Sequence, residues 1–286
     1  MKKSIKYVLA IKLIICLTIL LTSCQEEPKN NFIALGDSVA YGYGLSLQEE
    51  SYPAIFYSML ENEEAFDNYY NLAVNGFTTT KLLEYLNNIS TKELNDLKNA
   101  RIVTLNIGGN NVLVPFMNYL SNLQAVTGME NIISGTSDIL EGYLDIIDII
   151  YGSFSPELTD ELEKGITAFS DEFKEIITWI EKNAPKATII VNTVYNPVPP
   201  EVLMSSIEIS IIANMLVESM NNIIIQESKS RRYLVSDIYA NLSNQLDMMI
   251  FNINPFIGDI SFDIVHPNAD GHRIIAQLNY ETFMQR

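Results

Sequence analysis

Apolar residues in this chain fall into two alternating patterns, short continuous runs and longer stretches with helical spacing. Short runs bounded by turn residues predict five buried strands, Phe32–Leu35, Tyr69–Val74, Ile102–Ile107, Thr188–Thr193 and Tyr233–Val235. Amphipathic stretches between and after them predict the helices Tyr52–Leu60, Thr79–Leu86, Ala168–Lys182, Val202–Gln226 and Ala269–Phe283. Strands that alternate with helices imply right-handed crossovers and an α/β fold, with a parallel sheet covered on both faces.

One segment, from Val112 to about Asp160, does not follow this alternation. It comes after the third predicted strand, and its pattern is typical of helices interrupted by glycine. Apolar residues cover most of its circumference between Ile139 and Ile150. It has no strands or caps of its own, so we expect a helical insertion, at about residues 112–160, packed over the site side of the sheet.

The first 23 residues have the composition of a secretory signal. Lys2, Lys3 and Lys6 precede the apolar run from Leu13 to Leu21, which is too short to form a stable bilayer anchor. A poor transmembrane anchor is the alternative. We expect residues 1–23 to be removed on export.

The sequence Leu-Thr-Ser-Cys that ends at Cys24 resembles a bacterial lipobox, in which the cysteine becomes the lipidated first residue of the mature chain. An ordinary cleavage site with a cysteine nearby by chance is the alternative. Cys16 lies within the signal, so Cys24 would have no disulfide partner, which favours lipidation. We therefore expect a lipidated cysteine and a polar tether over residues 24–31, followed by one domain over residues 32–286.

Four short polar motifs accompany the predicted elements, Gly36-Asp-Ser38, Asn71-Leu-Ala-Val-Asn-Gly76, Gly108-Gly-Asn110 and Asp263-Ile-Val-His266. Three of them follow predicted strands, and the fourth is expected in a loop just before the last helix. Ligands bind beyond the C-terminal ends of the strands in open parallel sheets. The motifs therefore predict one site at that edge.

The first and fourth motifs contain the residue types needed for acyl transfer through a serine ester. Ser38 supplies a hydroxyl nucleophile. Asp263 precedes His266 by three residues, so its carboxylate can accept from Nδ1–H and leave Nε2 free to take the serine proton. Singly, Ser38 would also suit a helix N-cap and Asp263 a cap beside a surface histidine. His272 is expected to be structural or exposed.

Gly76 and Asn110 are candidates for an oxyanion hole. The backbone N–H groups of Ser38 and Gly76 and the side-chain amide of Asn110 would donate to the charge that develops on a tetrahedral intermediate. Singly, Gly76 would also suit a turn and Asn110 a helix cap. The order of the four motifs along the chain favours the catalytic interpretation.

Together the motifs resemble the sequence blocks of the SGNH/GDSL hydrolase family, from about Asn31 to the C-terminus. The resemblance implies a flavodoxin-like three-layer α/β/α sandwich with Ser38 as nucleophile, His266 as base, Asp263 as its orienting residue, and Gly76 and Asn110 as oxyanion donors. Asn111 departs from the family pattern, which usually has Asp there. We expect a change back to Asp to affect activity only modestly.

Other chemistries have no support in the sequence. It contains no Gly-x-Ser-x-Gly elbow, no His-Glu-x-x-His motif, no cysteine cluster and no nucleotide-binding glycine motif. We expect no metal and no cofactor. Removal of residues 1–23 leaves 14 basic and 35 acidic residues, a net charge of −21, which disfavours nucleic acid as a partner.

The sequence thus predicts an exported serine esterase or lipase, lipid-anchored at the extracytoplasmic face of a bacterial membrane. The apolar insertion favours the acyl chains of acylglycerols, lysophospholipids or phospholipids as substrate. One alternative is a carbohydrate O-acetylesterase that acts on the cell wall. Another is a lipoprotein that binds lipid or glycan without turnover. The oligomeric state is left open.

Overall fold

The computed structural model describes residues 29–61, 66–127, 156–196, 207–243, 245–254 and 259–286. The predicted signal, Cys24 and most of the tether lie outside the described residues. So do residues 128–155, which form the larger part of the predicted insertion.

Five parallel strands form the main sheet, β1 Asn31–Gly36, β2 Asn68–Asn71, β3 Ala100–Asn106, β4 Thr188–Asn192 and β5 Tyr233–Ser236. Their spatial order is β2-β1-β3-β4-β5, which is the flavodoxin-like order. The predicted strands are confirmed, except that the second ends at Asn71 rather than Val74. There the Asn71 side-chain oxygen accepts from the Ala73 N–H, and this Asx-type turn ends the strand.

The helices of the described residues are α1 Ser38–Tyr41, α2 Tyr52–Leu60, α3 Thr79–Asn87, α4 Thr91–Lys98, α5 Gly109–Thr127, α6 Pro156–Asn183, α7 Ile207–Ser228, α8 Tyr239–Leu242 and α9 Ala269–Met284. Short 3₁₀ turns span Gln48–Glu50 and Leu246–Met248. Within the described ranges, no helix has both the length and the apolar character needed to cross a membrane.

Alternate residues of the strands enter two apolar clusters, one on each face of the sheet. In β1, Ile33 and Leu35 join the cluster formed with α3, α6 and α7, whereas Phe32 and Ala34 join the one formed with α2 and α9. Each fully buried large side chain contributes about 1.5–3 kcal/mol of transfer free energy. This period-two division of a buried sheet confirms the three-layer α/β/α arrangement.

Helix α6 begins at Pro156, 12 residues before the predicted start at Ala168. In the structure Gly165 lies inside the helix, where an added Cβ would lie 2.0 Å from the Asn111 carbonyl oxygen. The glycine is needed for the close approach of α5 and α6 and does not end a helix.

The prediction that Asp263–His266 lies in a loop is wrong. These residues belong to β7 Asp259–Pro267, which pairs antiparallel with β6 Met249–Asn254 in a separate two-stranded ladder. The Tyr195 hydroxyl donates to the Val265 carbonyl and holds this hairpin against the end of the main sheet. The predicted strands do not include either arm of this hairpin, although only residues 255–258 separate β6 from β7.

His272 is fully buried and structural. Its Nδ1 accepts from the Tyr52 N–H at 3.1 Å, which satisfies a donor at the start of α2 that has no partner within its own helix. The His272 ring also stacks on the Tyr52 ring. Burial, together with the charge of His266, lowers the pKa of His272 to about 3.

This burial gives a prediction for acid stability. Unfolded His272 takes up a proton below about pH 6.5, whereas the folded protein resists protonation down to about pH 3. The free energy of unfolding therefore falls on acidification across this window, by up to about 1.4 kcal/mol per pH unit. His272→Asn keeps an acceptor without a titratable ring, so the variant should lack this contribution.

Urea unfolding of both proteins between pH 7.5 and 4.5 checks the prediction. Asp37, whose pKa is raised, acts in the opposite sense in the acid part of this range, but it does so in both proteins and cancels in their difference. Parallel stability curves for the two proteins would contradict the assignment.

Candidate active site

Ser38 lies where β1 meets α1. The backbone of Gly36 has a φ of 142°, and an added Cβ would lie 2.1 Å from the Asn106 carbonyl oxygen, so only glycine permits this approach of β1 to β3. Asp37 then caps α1, because its Oδ1 accepts from the Val39 N–H at 3.1 Å. The cap role considered for Ser38 thus belongs to Asp37, and Ser38 is the first residue of the helix.

Ser38, His266 and Asp263 form a continuous chain of hydrogen bonds. His266 Nε2 lies 2.8 Å from Ser38 Oγ, and His266 Nδ1 lies 2.6 Å from Asp263 Oδ2. A carboxylate beside Nδ1 favours the tautomer with the proton on Nδ1, which leaves Nε2 to accept from the serine hydroxyl. The structure therefore brings together the three residues predicted as nucleophile, base and orienting group.

Asp263 is held as an anion by its surroundings. Burial by itself would raise its pKa, but the hydrogen bond and charge of His266 and two backbone N–H groups outweigh that effect and lower it. Those N–H groups belong to Val265 and His266 and donate to Oδ1 at 2.9 and 3.1 Å. The carboxylate is thus fixed in position independently of the imidazole.

The loop between β2 and α3 lies beside the Ser38 segment. The Asn71 side-chain amide donates to the Ala40 carbonyl at 2.8 Å, and the Val74 N–H donates to the Gly36 carbonyl at 3.1 Å. Gly76 follows in this loop with a φ of 76°, a left-handed conformation that favours glycine.

Asn110 is tied to the same loop. One hydrogen of its side-chain amide donates to the Phe77 carbonyl at 2.9 Å, directly after Gly76. An amide nitrogen carries two hydrogens, so one remains to donate to a ligand. Asn110, in the first turn of α5, is thus bonded to the residue that follows Gly76, on the loop that contacts the Ser38 segment.

A chain of buried amides behind the site was not predicted. It consists of Asn106, Asn192 and Asn279: Asn106 donates to Asp37 Oδ1 and accepts from Asn192, which accepts from Asn279. Burial raises the pKa of Asp37 to about 6, while the Val39 N–H and Asn106 oppose the rise. The available signal was the polar residue that ends each of β3 and β4, at Asn106 and Asn192.

Two tyrosines at the site were also missed. The ring of Tyr43 lies 4.6 Å from that of His266, centroid to centroid, and remains 42% exposed. Tyr195 is buried and holds β7 through the Val265 carbonyl. The sequence offered no motif for either residue, because their roles depend on contacts with a segment at least 70 residues away.

Residues 34–274 match the family model described as GDSL-like Lipase/Acylhydrolase family, and all four motifs lie within this range. The chain belongs to the GDSL-like lipase/acylhydrolase family. It is therefore an ester-hydrolysing enzyme. The resemblance noted from the four motifs is confirmed, and so is the fold that it implied.

Solved structures share this fold at low sequence identity. A lipase from a goat rumen metagenome has a TM-score of 0.56 and 17% identity, covering 87% of this chain and 95% of its own. Phospholipase A1 from Streptomyces albidoflavus has a TM-score of 0.56 and 15% identity, covering 89% and 99%. A Clostridium thermocellum family 3 carbohydrate esterase has a TM-score of 0.50 and 16% identity, covering 90% and 96%. No curated protein matches the chain.

The structure gives a reason for Asn111, which stands where the family usually has Asp. Its Oδ1 accepts from the Thr79 N–H, and its Nδ2 donates to Thr79 Oγ1 at 2.7 Å and to the Gly165 carbonyl at 3.3 Å. The Thr79 hydroxyl proton is already donated to Glu172 at 2.6 Å. Thr79 Oγ1 therefore needs a donor from residue 111, which an amide supplies and a carboxylate cannot.

We accordingly expect Asn111→Asp to be more harmful than the sequence suggested. It removes two donated hydrogen bonds at a buried position and places a carboxylate beside the Gly165 carbonyl. The free energy of unfolding should fall by about 1–3 kcal/mol. Urea denaturation measures the change.

Glu172→Gln provides the matched control. A glutamine amide can donate to Thr79 Oγ1, which frees the threonine proton for a carboxylate at position 111. The double variant Asn111→Asp/Glu172→Gln should recover part of the loss, giving a non-additive cycle. Full additivity, or an Asn111→Asp variant as stable as the parent, would remove this explanation.

Proposed function

We propose that this enzyme is a serine esterase or lipase that hydrolyses acyl esters through an acyl-Ser38 intermediate. The observation that carries the proposal is the hydrogen-bonded series Ser38–His266–Asp263, at the C-terminal edge of the sheet. The same geometry argues against the alternative of a lipoprotein that only binds lipid or glycan.

In the first half of the reaction, His266 Nε2 takes the Ser38 proton as Oγ attacks the carbonyl carbon of the ester. Asp263 keeps the imidazole oriented and stabilises its positive charge. The backbone N–H groups of Ser38 and Gly76 and the amide of Asn110 donate to the oxyanion. Collapse of the intermediate breaks the ester C–O bond, and His266 returns the proton to the departing alcohol.

In the second half, His266 takes a proton from water, and the resulting hydroxide attacks the acyl-Ser38 carbonyl. Collapse of this second intermediate releases the carboxylic acid and returns the proton to Ser38 Oγ. The cycle needs only groups of this chain and water, which fits the expectation that no metal or cofactor takes part.

Exposed apolar side chains close in sequence to the site motifs support acyl chains as the substrate. Most of the strongly exposed large apolar side chains of the described residues follow the site motifs or lie beside them, namely Tyr41, Tyr43, Leu47, Val74, Val114 and Met117. Val114 and Met117 belong to the described start of the predicted insertion. These side chains can bury the methylenes of an acyl chain.

A carbohydrate O-acetylesterase is the second candidate. Tyr41 and Tyr43 are 43% and 42% exposed directly after Ser38, and exposed aromatic rings suit the faces of sugars. The similarity to a family 3 carbohydrate esterase is compatible with this second candidate, but at 16% identity it shows only a shared fold. Chain-length dependence separates the two candidates.

We also propose that the enzyme is exported and held by a lipid on Cys24 at the outer face of a bacterial membrane. The support is in the sequence alone: a basic start, a short apolar run and Leu-Thr-Ser-Cys24, followed by a polar tether. Two acyl chains on one cysteine suffice for stable attachment.

The serine mechanism predicts that Ser38→Ala and His266→Ala each lower kcat for ester hydrolysis by at least about 10³-fold, because each removes one member of the nucleophile–base pair. Ser230→Ala, at an exposed serine remote from the site, should retain the parent activity. A fluorophosphonate probe followed by peptide mass spectrometry should find a single label, on Ser38. A label elsewhere, or an active Ser38→Ala enzyme, would refute the mechanism.

Acyl-chain binding predicts that kcat/KM for p-nitrophenyl esters rises with chain length beyond two carbons, by up to about fourfold per buried methylene. Met117→Ser should reduce this gain before it affects the two-carbon ester. Met284→Ser, at an equally exposed methionine near the end of α9, is the control and should leave the gain unchanged. Fastest turnover of two-carbon esters would favour the carbohydrate acetylesterase instead.

The anchor predicts that Cys24→Ala releases the protein from the membrane fraction, because the modified thiol and the new N-terminal amine are both lost. Metabolic labelling with a fatty-acid analogue should mark the parent and not the variant. Persistent labelling of Cys24→Ala would rule out lipidation at this residue.

A further inference from the structure

Charged side chains are unevenly distributed between the two ends of the main sheet. Within two residues of the first residue of a strand there is one acid, Asp67, and there are six cations, Lys29, Lys98, Arg101, Lys186, Arg231 and Arg232. Within two residues of the last residue of a strand there are two acids, Asp37 and Asp237, and no cation. In a chain of net charge −17, cations therefore outnumber acids next to the first residues of the strands.

Much of this positive charge has no ion pair among the described residues. Four lysines at this end are exposed and have no ion pair within the described part of the chain, Lys29, Lys98, Lys182 and Lys186. Arg232 is exposed too, and its guanidinium donates only to backbone carbonyls. Arg231, in contrast, is paired with Glu181 and Glu227. We call the four lysines and Arg232 the strand-start surface.

The opposite end of the sheet is acidic. Helix α6 begins there, since it leads down to the start of β4, and four of its first eight residues are exposed acids, Glu157, Asp160, Glu161 and Glu163. Ser38 and His266 lie at the same end. The charges of the protein are thus separated along the strand direction.

The tether joins the domain at the end where the strands begin, because it leads into β1. Cys24 precedes the first residue of β1, Asn31, by seven positions, which span at most about 25 Å when fully extended. The six residues of β1 place Ser38 about 20 Å from that end. A lipid on Cys24 therefore draws the strand-start surface to the bilayer. Only a nearly straight tether that ran along the domain would let Ser38 reach the bilayer instead.

We propose that the strand-start surface docks on an anionic bilayer and that the active site faces away from it. The inference rests on the lipid anchor of the proposed function. It names a substrate class: esters that reach the enzyme from outside the bilayer, dissolved or in the cell wall, and not the lipids of the anchoring membrane. Screening by salt supports this orientation. Charges interact over about 8 Å at physiological ionic strength, so the anionic head groups would not repel the acidic end of the docked protein.

A pair of single-cysteine labels tests the orientation. The lipid would occupy Cys24, so an introduced cysteine is the only free thiol of the mature protein. Ser230→Cys carries a fluorophore at the strand-start end, and Glu49→Cys carries it at the catalytic end, where both residues are exposed. The lipidated protein is placed in vesicles of phosphatidylcholine and phosphatidylglycerol that contain a lipid with a nitroxide on its head group.

We expect several-fold stronger quenching at position 230 than at position 49. The difference should shrink in vesicles of phosphatidylcholine alone and at high salt. Equal quenching at the two positions, or stronger quenching at position 49, would overturn the proposal. A difference that does not depend on the anionic lipid would overturn the docking of the charged surface.

Charge reversal tests the surface itself. Lys98→Glu/Lys182→Glu/Lys186→Glu should lose the difference in quenching, while its kcat/KM for a soluble ester stays at the parent value, which also shows that it is folded. Lys186→Glu alone should weaken the difference in quenching between positions 230 and 49. Lys164→Glu makes the same change in net charge at the acidic end and should leave that difference unchanged. Parent-like quenching in the triple variant would overturn the role of these lysines.

The outcomes separate this inference from the proposed chemistry. Loss of the serine mechanism with the quenching pattern intact would leave the docking in place. A mature chain without lipid on Cys24, seen by mass spectrometry, would overturn the anchor and the orientation with it. Hydrolysis of the vesicle's own phospholipids by the anchored enzyme, at a rate comparable with its rate on a soluble ester, would overturn the substrate class.

Discussion

The close approach of β1 and β3 at Gly36 and Asn106 is the contact on which the active site depends. It leaves no room for a side chain at Gly36, and it lets the Asp37 N–H donate to the Asn106 carbonyl at 3.0 Å. Asp37 then caps α1 and accepts from the Asn106 side chain. Ser38 is therefore positioned by backbone geometry and by a buried carboxyl group, before any contact with His266 is made.

Two units with different strand pairing, a parallel sheet and an antiparallel hairpin, supply the reacting groups. The parallel sheet places Ser38 and Asn110, at helix starts, and Gly76, on a loop, at its C-terminal edge, as its topology requires. The β6–β7 hairpin provides Asp263 and His266, and it is joined to the sheet by the Tyr195 hydroxyl and by the Ser38–His266 bond across 228 positions. The oxyanion residues have a further support, since α5 is fixed to α3 and α6 through Asn111, Thr79 and Gly165.

The sequence predicted the layers and the residues of the site because both depend on local signals. Continuous apolar runs identified the strands, and short polar motifs at their ends identified Ser38, Gly76 and Asn110. It failed where distant contacts decide. The predicted start of α6 at Ala168 left out Gly165, which packs against Asn111 of α5. The amide chain and the partners of Asn111 likewise join residues far apart in the sequence. The β6–β7 hairpin, by contrast, is a local feature that the predicted strands do not include. The signal and the lipid anchor remain predictions.

The attachment of the hairpin has a consequence for how the enzyme would lose activity. Within the described ranges, the two-stranded ladder pairs only with itself and has few bonds to the main sheet, and isolated two-stranded ribbons have little stability of their own. A fluctuation that releases β6 and β7 would displace His266 and withdraw Met249 from its apolar cluster, while the helices stay packed on the parallel sheet. Inactivation on heating would then precede global unfolding. The hairpin amides would exchange their hydrogens through a sub-global opening of lower free energy than that of the strands beside them.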